Sequence, residues 1–260
     1  MVKDHPSDII ARFDPVSLED IAAVRLMTRI DRKYLFSVSR MPELLSSISN
    51  GYQILEIEGQ REFNYKTVYF DTPSLLFYNQ HVTGKLTRYK VRMRTYETNG
   101  LTFLEVKEKS NKGRTSKTRI RSDETDPQED EQSRSFLQEL VSADAASLKP
   151  VINTGFTRIT LVNLADEERI TVDYNLSWHN FRGGAVEMPF LAIAEIKRDK
   201  SNVMSLFYQK LKDMGVRSTG FSKYCTGMAM LNNIQKKNNI KPKILLLNKI
   251  RNEYDRNGSA

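Results

Sequence analysis

Residues 88–96, RYKVRMRTY, decide the fold of this chain. Every second position carries a cation: Arg88, Lys90, Arg92 and Arg94. The three positions between them carry Tyr89, Val91 and Met93. This alternation has the period of a β-strand, in which successive side chains point to opposite faces. All four cations therefore share one face, and because like charges at this spacing repel one another, the pattern predicts an anion bound in front of them.

The same pattern recurs along the chain. Further strands are predicted at residues 28–38, 65–72, 101–109, 115–121, 150–163, 169–178 and 190–199. All of these except 65–72 place charges on one face, and the cations are Lys33, Lys107, Lys117, Arg119, Arg158, Arg169 and Lys197. The carboxylates on these faces are Asp31, Glu105, Asp173 and Glu195. A single charged strand face is usually the solvated side of a sheet. Charged faces on seven strands indicate either one broad basic surface on an open sheet or the interior of a closed sheet.

The surplus of cations over carboxylates predicts a dense, narrow polyanion such as a chain of phosphates, rather than a nucleic-acid duplex. Asn99-Gly100 and Lys112-Gly113 separate alternating runs, as hairpin turns do. Helices are predicted at residues 17–27, 41–51, 133–142, 201–215 and 223–234, with a short helix or turn at 73–82. Ser17 and Ser201 are the predicted N-caps of the first helix and of the helix at 201–215. We therefore predict an α+β fold: an antiparallel β-barrel, or tunnel, with a charged lumen and helices packed outside and at the ends.

The composition indicates a globular protein with an anionic partner. The formal net charge is +8 over 260 residues, of which 39% are hydrophobic. The single cysteine, Cys225, excludes an internal disulfide and suits a reducing compartment. No apolar leader or membrane-spanning run is found, so we expect a cytoplasmic protein. One domain is predicted for residues 1–235, followed by a basic tail or surface helix at 236–260 that could alternatively contact an acidic membrane or partner.

The few carboxylates among the cations are candidate metal ligands. Mg²⁺ and Mn²⁺ prefer oxygen ligands and are commonly completed by substrate phosphates. Glu195, Asp173 and Glu105 are therefore predicted to hold Mn²⁺ or Mg²⁺ on a bound phosphate chain. The alternative is that each carboxylate simply pairs with neighbouring Arg and Lys side chains.

Nine short stretches occur in a distinctive order over about residues 20–232: RIDRKYLF, YFDTPSLLFYNQHV, YKVRMRTY, FLEVKEK, SKTRI, TGFTRITL, ITVDYNLSW, AIAEIKRDK and GFSKYCTGM. Together they resemble the VTC domain, the polyphosphate polymerase branch of the CYTH, or triphosphate tunnel metalloenzyme, superfamily. The resemblance implies an antiparallel β-tunnel with basic walls and a metal-binding glutamate. It also implies transfer of the γ-phosphate of ATP onto a growing inorganic polyphosphate chain.

The resemblance implies roles for single residues. Catalytic roles fall to Arg92, Arg94, Lys107, Arg158 and Arg169, and the metal ligand is Glu195. Phosphate or nucleotide contacts fall to Lys33, Lys117, Ser222 and Lys223, to which the charged strand faces add Arg88, Lys90, Arg119 and Lys197. Two positions depart from the family pattern. Arg29 stands where hydrolases of the superfamily carry the first glutamate of E-x-E-x-K, which favours a polymerase, and Gly220 stands where many polymerases carry a lysine.

Three other functions stay open. The first is a tripolyphosphatase or nucleoside triphosphatase of the same tunnel fold, with water as the acceptor. The second is a polyphosphate-binding module without activity. The third is an RNA-binding sheet, which the few aromatic residues on the charged faces, mainly Phe103 and Phe156, disfavour. The resemblance also leaves open a membrane partner protein, which would place the chain at the inner membrane surface.

Overall fold

The structure is a computed structural model that describes residues 6–23, 29–112, 114–124, 126–199, 205–232, 234 and 238–258. The strands within these ranges are β1 (Asp14–Val16), β2 (Arg29–Ser37), β3 (Gln53–Leu55), β4 (Phe63–Asp71), β5 (Arg88–Tyr96), β6 (Thr102–Lys109), β7 (Thr115–Arg121), β8 (Lys149–Asn163), β9 (Glu168–His179), β10 (Ala185–Met188) and β11 (Leu191–Asp199). The helices are α1 (Pro6–Ile10), α2 (Leu18–Ala23), α3 (Met41–Ser46), α4 (Leu76–Val82), α5 (Glu131–Val141), α6 (Leu206–Asp213), α7 (Lys223–Leu231) and α8 (Lys241–Gly258).

All the described strands join one sheet. Its main path runs β2-β11-β9-β8-β4-β5-β6-β7, and every neighbouring pair on that path is antiparallel. β10 pairs with β9, and β3 pairs with β8 and, in parallel, with β1. The predicted antiparallel α+β fold is confirmed.

The predicted closed barrel is not found, because no pairing between β2 and β7 closes the sheet within the described ranges. The outer edge of β2 is already occupied. Thr219 N donates to Lys33 O at 2.8 Å, and Tyr34 forms a β-bridge with Ser218. On α8, Lys243 Nζ donates to Thr219 Oγ1 at 2.7 Å and holds this segment in place. The backbone groups that closure would need on β2 are therefore partly used by another part of the chain.

The open sheet nevertheless curls. The pKa of Lys107 on β6 is lowered, first by burial and then by the charges of Lys90 and of Lys33, which lies on β2 near the other end of the strand path. The charges of Glu195 and Asp31, on β11 and β2, oppose this shift. Side chains from both ends of the path thus face one another across a concavity. We call this concave surface, which extends from Lys33 on β2 to Lys117 on β7, the charged groove.

Helices cover the convex face and one end of the concave face. On the convex side, α1, α3 and α6 pack on the apolar faces of β2, β8, β9 and β11, and α5 packs on β5 and β6. On the concave side, α7 packs against Ile152 and Trp178. A Cβ on Gly227 of α7 would lie 2.2 Å from Trp178 Cδ1, so only glycine permits this approach. The face that carries the cations therefore becomes apolar beneath α7.

The other differences from the predicted elements are local. Ser17 and Asp20 form the predicted capping box, with Asp20 N donating to Ser17 Oγ at 3.1 Å, although residues 24–28 lie outside the described ranges. The helix predicted from Met41 ends at Ser46 and is followed by a 3-10 turn, Ser49–Gly51. The N-cap of α6 is Ser205 rather than Ser201, which also lies outside those ranges. β1, β3 and β10 were not predicted, because three or four residues are too few to establish an alternating pattern.

The C-terminal segment, predicted as a basic tail or surface helix, forms α8. This helix has 18 residues and contacts β2 and β11. Leu247 and Ile250 on one of its faces are buried. No helix in the described part of the chain has the length and apolar character that crossing a membrane requires.

Candidate functional site

Strand pairing arranges the predicted site residues in rows across β5, β6 and β7. The first row, here called the lysine row, places Lys90 opposite Lys107 and Lys107 opposite Lys117. The next row places Glu105 between Arg92 and Arg119. The third places Arg94 opposite Phe103. Three cationic strands therefore form one wall of the charged groove.

Glu105 neutralises part of this wall. Its side chain is 1% exposed, and Arg92 Nε and Lys117 Nζ donate to its two oxygens at 2.7 and 2.6 Å. Burial raises the pKa of Glu105, but the charges of Arg92 and Arg94 and the bond from Lys117 outweigh burial and lower the pKa to about 2. Glu105 is thus ionised and fully engaged with cations.

Asp173 has the same role on β9. Arg158 Nε donates to Oδ1 at 2.6 Å and its Nη2 donates to Oδ2 at 2.9 Å, which is a bidentate pair. Lys223 Nζ also donates to Oδ2. Lys223 is the first residue of α7, whose N-cap Ser222 accepts a hydrogen bond from Cys225 N at 3.2 Å. The predicted contact residue Ser222 therefore places Lys223 in the groove by capping its helix.

Glu195 on β11 differs from these two carboxylates. Lys33 lies directly opposite on β2 and donates to Oε1. Oε2 lies 3.5 Å from Lys197 Nζ, which is an ion pair without hydrogen-bond geometry. Burial raises the pKa of Glu195, but Lys197 and Lys33 outweigh it and hold the pKa well below its usual range. Glu195 is therefore ionised, and its Oε2 is held by a long ion pair with Lys197 rather than by a hydrogen bond.

Arg94 is a buried cation without a carboxylate partner of its own: the nearby Glu105 acts on it by its charge but binds Arg92 and Lys117. The residue is 8% exposed, and its guanidinium forms no ion pair with any residue that the structure describes. Its Nε has no hydrogen-bond partner, and neither has the buried Oγ1 of Thr67, which lies opposite on β4. Burial and the like charge of Arg92 lower the pKa of Arg94. A buried guanidinium without an ion-pair partner is costly, so an anion bound at this position would stabilise the protein.

Lys90 and Lys107 of the lysine row form no ion pair with a described residue, although the charges of Glu195 and Asp31 act on Lys107. Like charges placed directly opposite on neighbouring strands destabilise a sheet. Burial lowers the pKa of Lys90 to about 8, and the cations Arg92, Lys33 and Arg88 contribute to this shift. The side chain of Lys107 reaches solvent, although the protein around it is close enough to lower its pKa. The lysine row is a second part of the groove that an anion would stabilise.

The remaining predicted residues lie at the margins. Arg88 donates to Lys85 O at 2.7 Å, in the loop before β5. Arg119 is exposed, and its Cζ lies 4.7 Å from the centroid of the Phe103 ring. Arg169 lies opposite Lys197 on the neighbouring strand β11. These three cations flank the groove and do not join the cluster around Arg94.

Sequence analysis missed the aromatic residues of β4. Tyr65, Thr67 and Tyr69 alternate on the face that carries the cations, because they lie opposite Tyr96, Arg94 and Arg92 of β5. Arg92 Nη1 donates to Tyr69 Oη at 3.4 Å. The two-residue alternation of residues 65–72 would have identified this face. It could not have shown that the face lies on the same side of the sheet as the cations of β5.

The three carboxylates of the groove differ in their capacity to bind a metal ion. The described residues include no group of three His, Cys, Asp or Glu side chains that could hold a metal ion. Both oxygens of Asp173 and of Glu105 accept hydrogen bonds from cations. Among these three carboxylates, Glu195 has the one oxygen without a described hydrogen bond, since Oε2 is held only by the 3.5 Å ion pair with Lys197. That oxygen fits a divalent ion whose other ligands are phosphate oxygens and water. The predicted metal role therefore rests on Glu195, while Asp173 and Glu105 hold cations in place.

Comparison with known proteins agrees with this arrangement. The family model of the VTC domain matches residues 28–232. The chain belongs to the VTC domain family. Membership supports a function that involves triphosphate or polyphosphate. No curated protein matches the chain.

Solved structures show the fold of this VTC domain. A Bacillus halodurans protein named as a candidate adenylate cyclase superposes with a TM-score of 0.51 at 15% identity, covering 76% of this chain and 96% of that one. A Hippeastrum protein named as a candidate adenylyl cyclase, with a dominant triphosphatase activity, also has a TM-score of 0.51, at 14% identity, covering 81% and 99%. At these identities the similarity establishes a shared fold.

Proposed function

We propose that this protein is a metal-dependent polyphosphate polymerase that transfers the γ-phosphate of ATP to a growing polyphosphate chain. The observation that carries the proposal is the unpaired, buried guanidinium of Arg94 between two paired arginines, Arg92 and Arg158. Membership in the VTC domain family supports the same substrate class.

Different parts of the groove would contact different parts of the two substrates. Arg94, Arg92 and Arg158 would cradle the β- and γ-phosphates, since planar guanidinium groups suit bidentate contact with phosphate. The lysine row would hold the polyphosphate acceptor, because point charges on flexible side chains suit a chain of repeating anions. Lys33 and Lys223 would contact the same anions after exchanging their carboxylate partners for phosphate.

The proposed phosphoryl transfer needs no covalent bond between the protein and the phosphate. An oxygen of the terminal phosphate of the acceptor forms a bond to the γ-phosphorus, the bond from that phosphorus to the β–γ bridging oxygen breaks, and ADP leaves. The acceptor is already ionised at neutral pH, so no strong general base is needed. Positioning and charge neutralisation supply most of the catalysis in phosphoryl transfer. A Mn²⁺ or Mg²⁺ ion held by Glu195 would neutralise charge on the triphosphate.

The test is incubation of the purified protein with ATP and Mn²⁺, followed by gel electrophoresis of the products with staining for polyphosphate. A ladder of long chains with release of ADP is expected. Free phosphate without a ladder would indicate a triphosphatase with water as the acceptor. Tight polyphosphate binding without either product would indicate a binding module. Either of these two results would overturn the polymerase assignment.

A further inference from the structure

An aromatic row crosses the charged groove. It consists of Phe156 on β8, Tyr65 on β4, Tyr96 on β5 and Phe103 on β6. The rings of Tyr65 and Phe156 stack with centroids 5.1 Å apart. Tyr96 lies 5.0 Å from Tyr65 and 5.8 Å from Phe103, the latter in edge-to-face geometry. Four successive strands thus contribute one continuous apolar strip.

The strip lies beside the arginines proposed to hold phosphate. The Cζ atoms of Arg94 and Arg158 lie 5.6 and 5.2 Å from the centroid of the Tyr65 ring. Arg94 and Tyr96 are two residues apart on β5 and therefore point to the same face. An anion bound at Arg94 would be next to the aromatic row.

The outer members of the row remain accessible. Phe156 is buried, whereas Tyr96 and Phe103 are half-buried on a face otherwise occupied by cations. Aromatic surface left in contact with water is unfavourable. A phosphate chain has no flat apolar part that could cover it, but the base of a nucleotide has one. Stacking of bases on aromatic side chains is a common mode of nucleotide recognition and tolerates different bases.

We propose that the aromatic row is the binding platform for the base of the nucleoside triphosphate, with Tyr96 as the contacting ring. Phe103 supports Tyr96 through its edge-to-face contact, and Arg119, over the ring of Phe103, lies beside it. This inference rests on the proposed function and adds a specificity element to it: the row distinguishes a nucleotide donor from an inorganic phosphate chain. Because stacking tolerates different bases, ATP and GTP should bind with similar affinity.

The experiment compares two ligands on two variants. Affinities for ATP and for inorganic tripolyphosphate are measured by calorimetry, without metal, for the wild type, Tyr96→Leu and Tyr96→Phe. Tyr96→Leu should weaken ATP binding about tenfold, the effect of losing one stacking contact. It should leave tripolyphosphate binding unchanged. Tyr96→Phe retains the ring and should bind ATP as the wild type does.

Phe181→Leu is the matched control, because Phe181 is exposed on the turn before β10, outside the groove. It should change neither affinity. Circular dichroism verifies folding, and Phe103→Leu serves as a second variant if Tyr96→Leu does not fold. Equal weakening of both ligands, or no change for either, would overturn the inference while leaving the proposed phosphate site in place. If the wild type binds neither ATP nor tripolyphosphate, the proposed phosphate site and the inference are both wrong.

Discussion

The guanidinium of Arg94 lies over the ring of Tyr65, with Cζ 5.6 Å from the ring centroid, and forms no ion pair with a carboxylate in the described part of the chain. The charge of Glu105 acts on it, but the oxygens of Glu105 bind Arg92 and Lys117. The aromatic face offsets part of the cost of burying this charge. It does not replace a counter-ion, and the neighbouring cations Arg92 and Arg158 lower the pKa of Arg94 further. The charge of Arg94 therefore destabilises the free protein, whereas binding of an anion requires that charge.

Arg94→Met should stabilise the free protein and impair its function. Removal of an unpaired buried charge should raise the free energy of unfolding by about 1 kcal/mol or more. Loss of the phosphate contact should cost about 2–4 kcal/mol in kcat/KM. Thermal unfolding and steady-state kinetics measure the two effects. Arg121→Met is the control, since Arg121 lies in the same row but is exposed, and it should stay within about 0.5 kcal/mol of the wild type in stability. A destabilised Arg94→Met protein would show that Arg94 is structural.

Glu195→Gln should abolish metal-dependent turnover without weakening phosphate binding. The amide retains the shape of the side chain but loses the charge that attracts a divalent ion. It also releases Lys33, which in the free protein donates to Glu195. Metal titration and metal-free tripolyphosphate binding measure the two properties separately. Glu187→Gln, at an exposed position on β10, should behave as the wild type. Unchanged metal affinity in Glu195→Gln would place the metal elsewhere.

Phosphate affinity should fall as the pH rises through about 8, the pKa to which burial lowers Lys90. The bound anion requires the protonated amine, and above that pH binding must first take up a proton. The stability of the free protein should change in the opposite direction. Burial disfavours the charged form of Lys90 in the folded protein. This loss of stability is fully present below about pH 8, the pKa of Lys90 in the folded protein. It disappears as the pH rises towards 10.5, the pKa of Lys90 in the unfolded chain.

Lys90→Arg tests this pH dependence, since arginine stays charged over the whole range. The ratio of variant to wild-type affinity should rise with pH, and taking the ratio cancels the titration of the ligand itself. The groups that surround Lys90 are Cys225 on α7, His81 on α4, Arg88 and Arg92 on β5, Lys107 on β6 and Lys33 on β2. Burial lowers the pKa of His81 to about 3 and raises that of Cys225. If the ratio of variant to wild-type affinity stays constant with pH, the pH dependence of phosphate affinity arises from another lysine.

Gly227→Ala should displace α7. The new Cβ would lie 2.2 Å from Trp178 Cδ1 and 2.6 Å from Ile152 Cδ1, and such overpacking costs about 1–3 kcal/mol. Trp178 is the only tryptophan, so its fluorescence reports the shift directly. Because Lys223 begins the same helix, phosphate affinity should fall as well. Gly220→Ala is the control, since nothing lies within 4 Å of its Cβ. An unchanged emission spectrum in Gly227→Ala would contradict the tight contact.

Local patterns predicted much of this site. The alternation at residues 88–96 placed Arg92 and Arg94 on one face before any partner strand was known, and the structure retains that face. The same test assigned Glu105, Asp173 and Glu195 to charged faces but could not distinguish their roles. Their difference depends on the cations around them: Arg158 and Lys223 donate to both oxygens of Asp173, whereas one oxygen of Glu195 is held only by a 3.5 Å ion pair with Lys197.

By itself, the sequence determined which side chains share a strand face, because the two-residue period is a property of the extended backbone. It also determined the excess of positive charge that calls for a polyanion. Only the tertiary structure decided the rest: the open sheet, the contact of Lys223 with Asp173, the aromatic row and the absence of an ion pair at Arg94 among the described residues. These features depend on register and packing between segments far apart in the chain, which local periodicity does not encode.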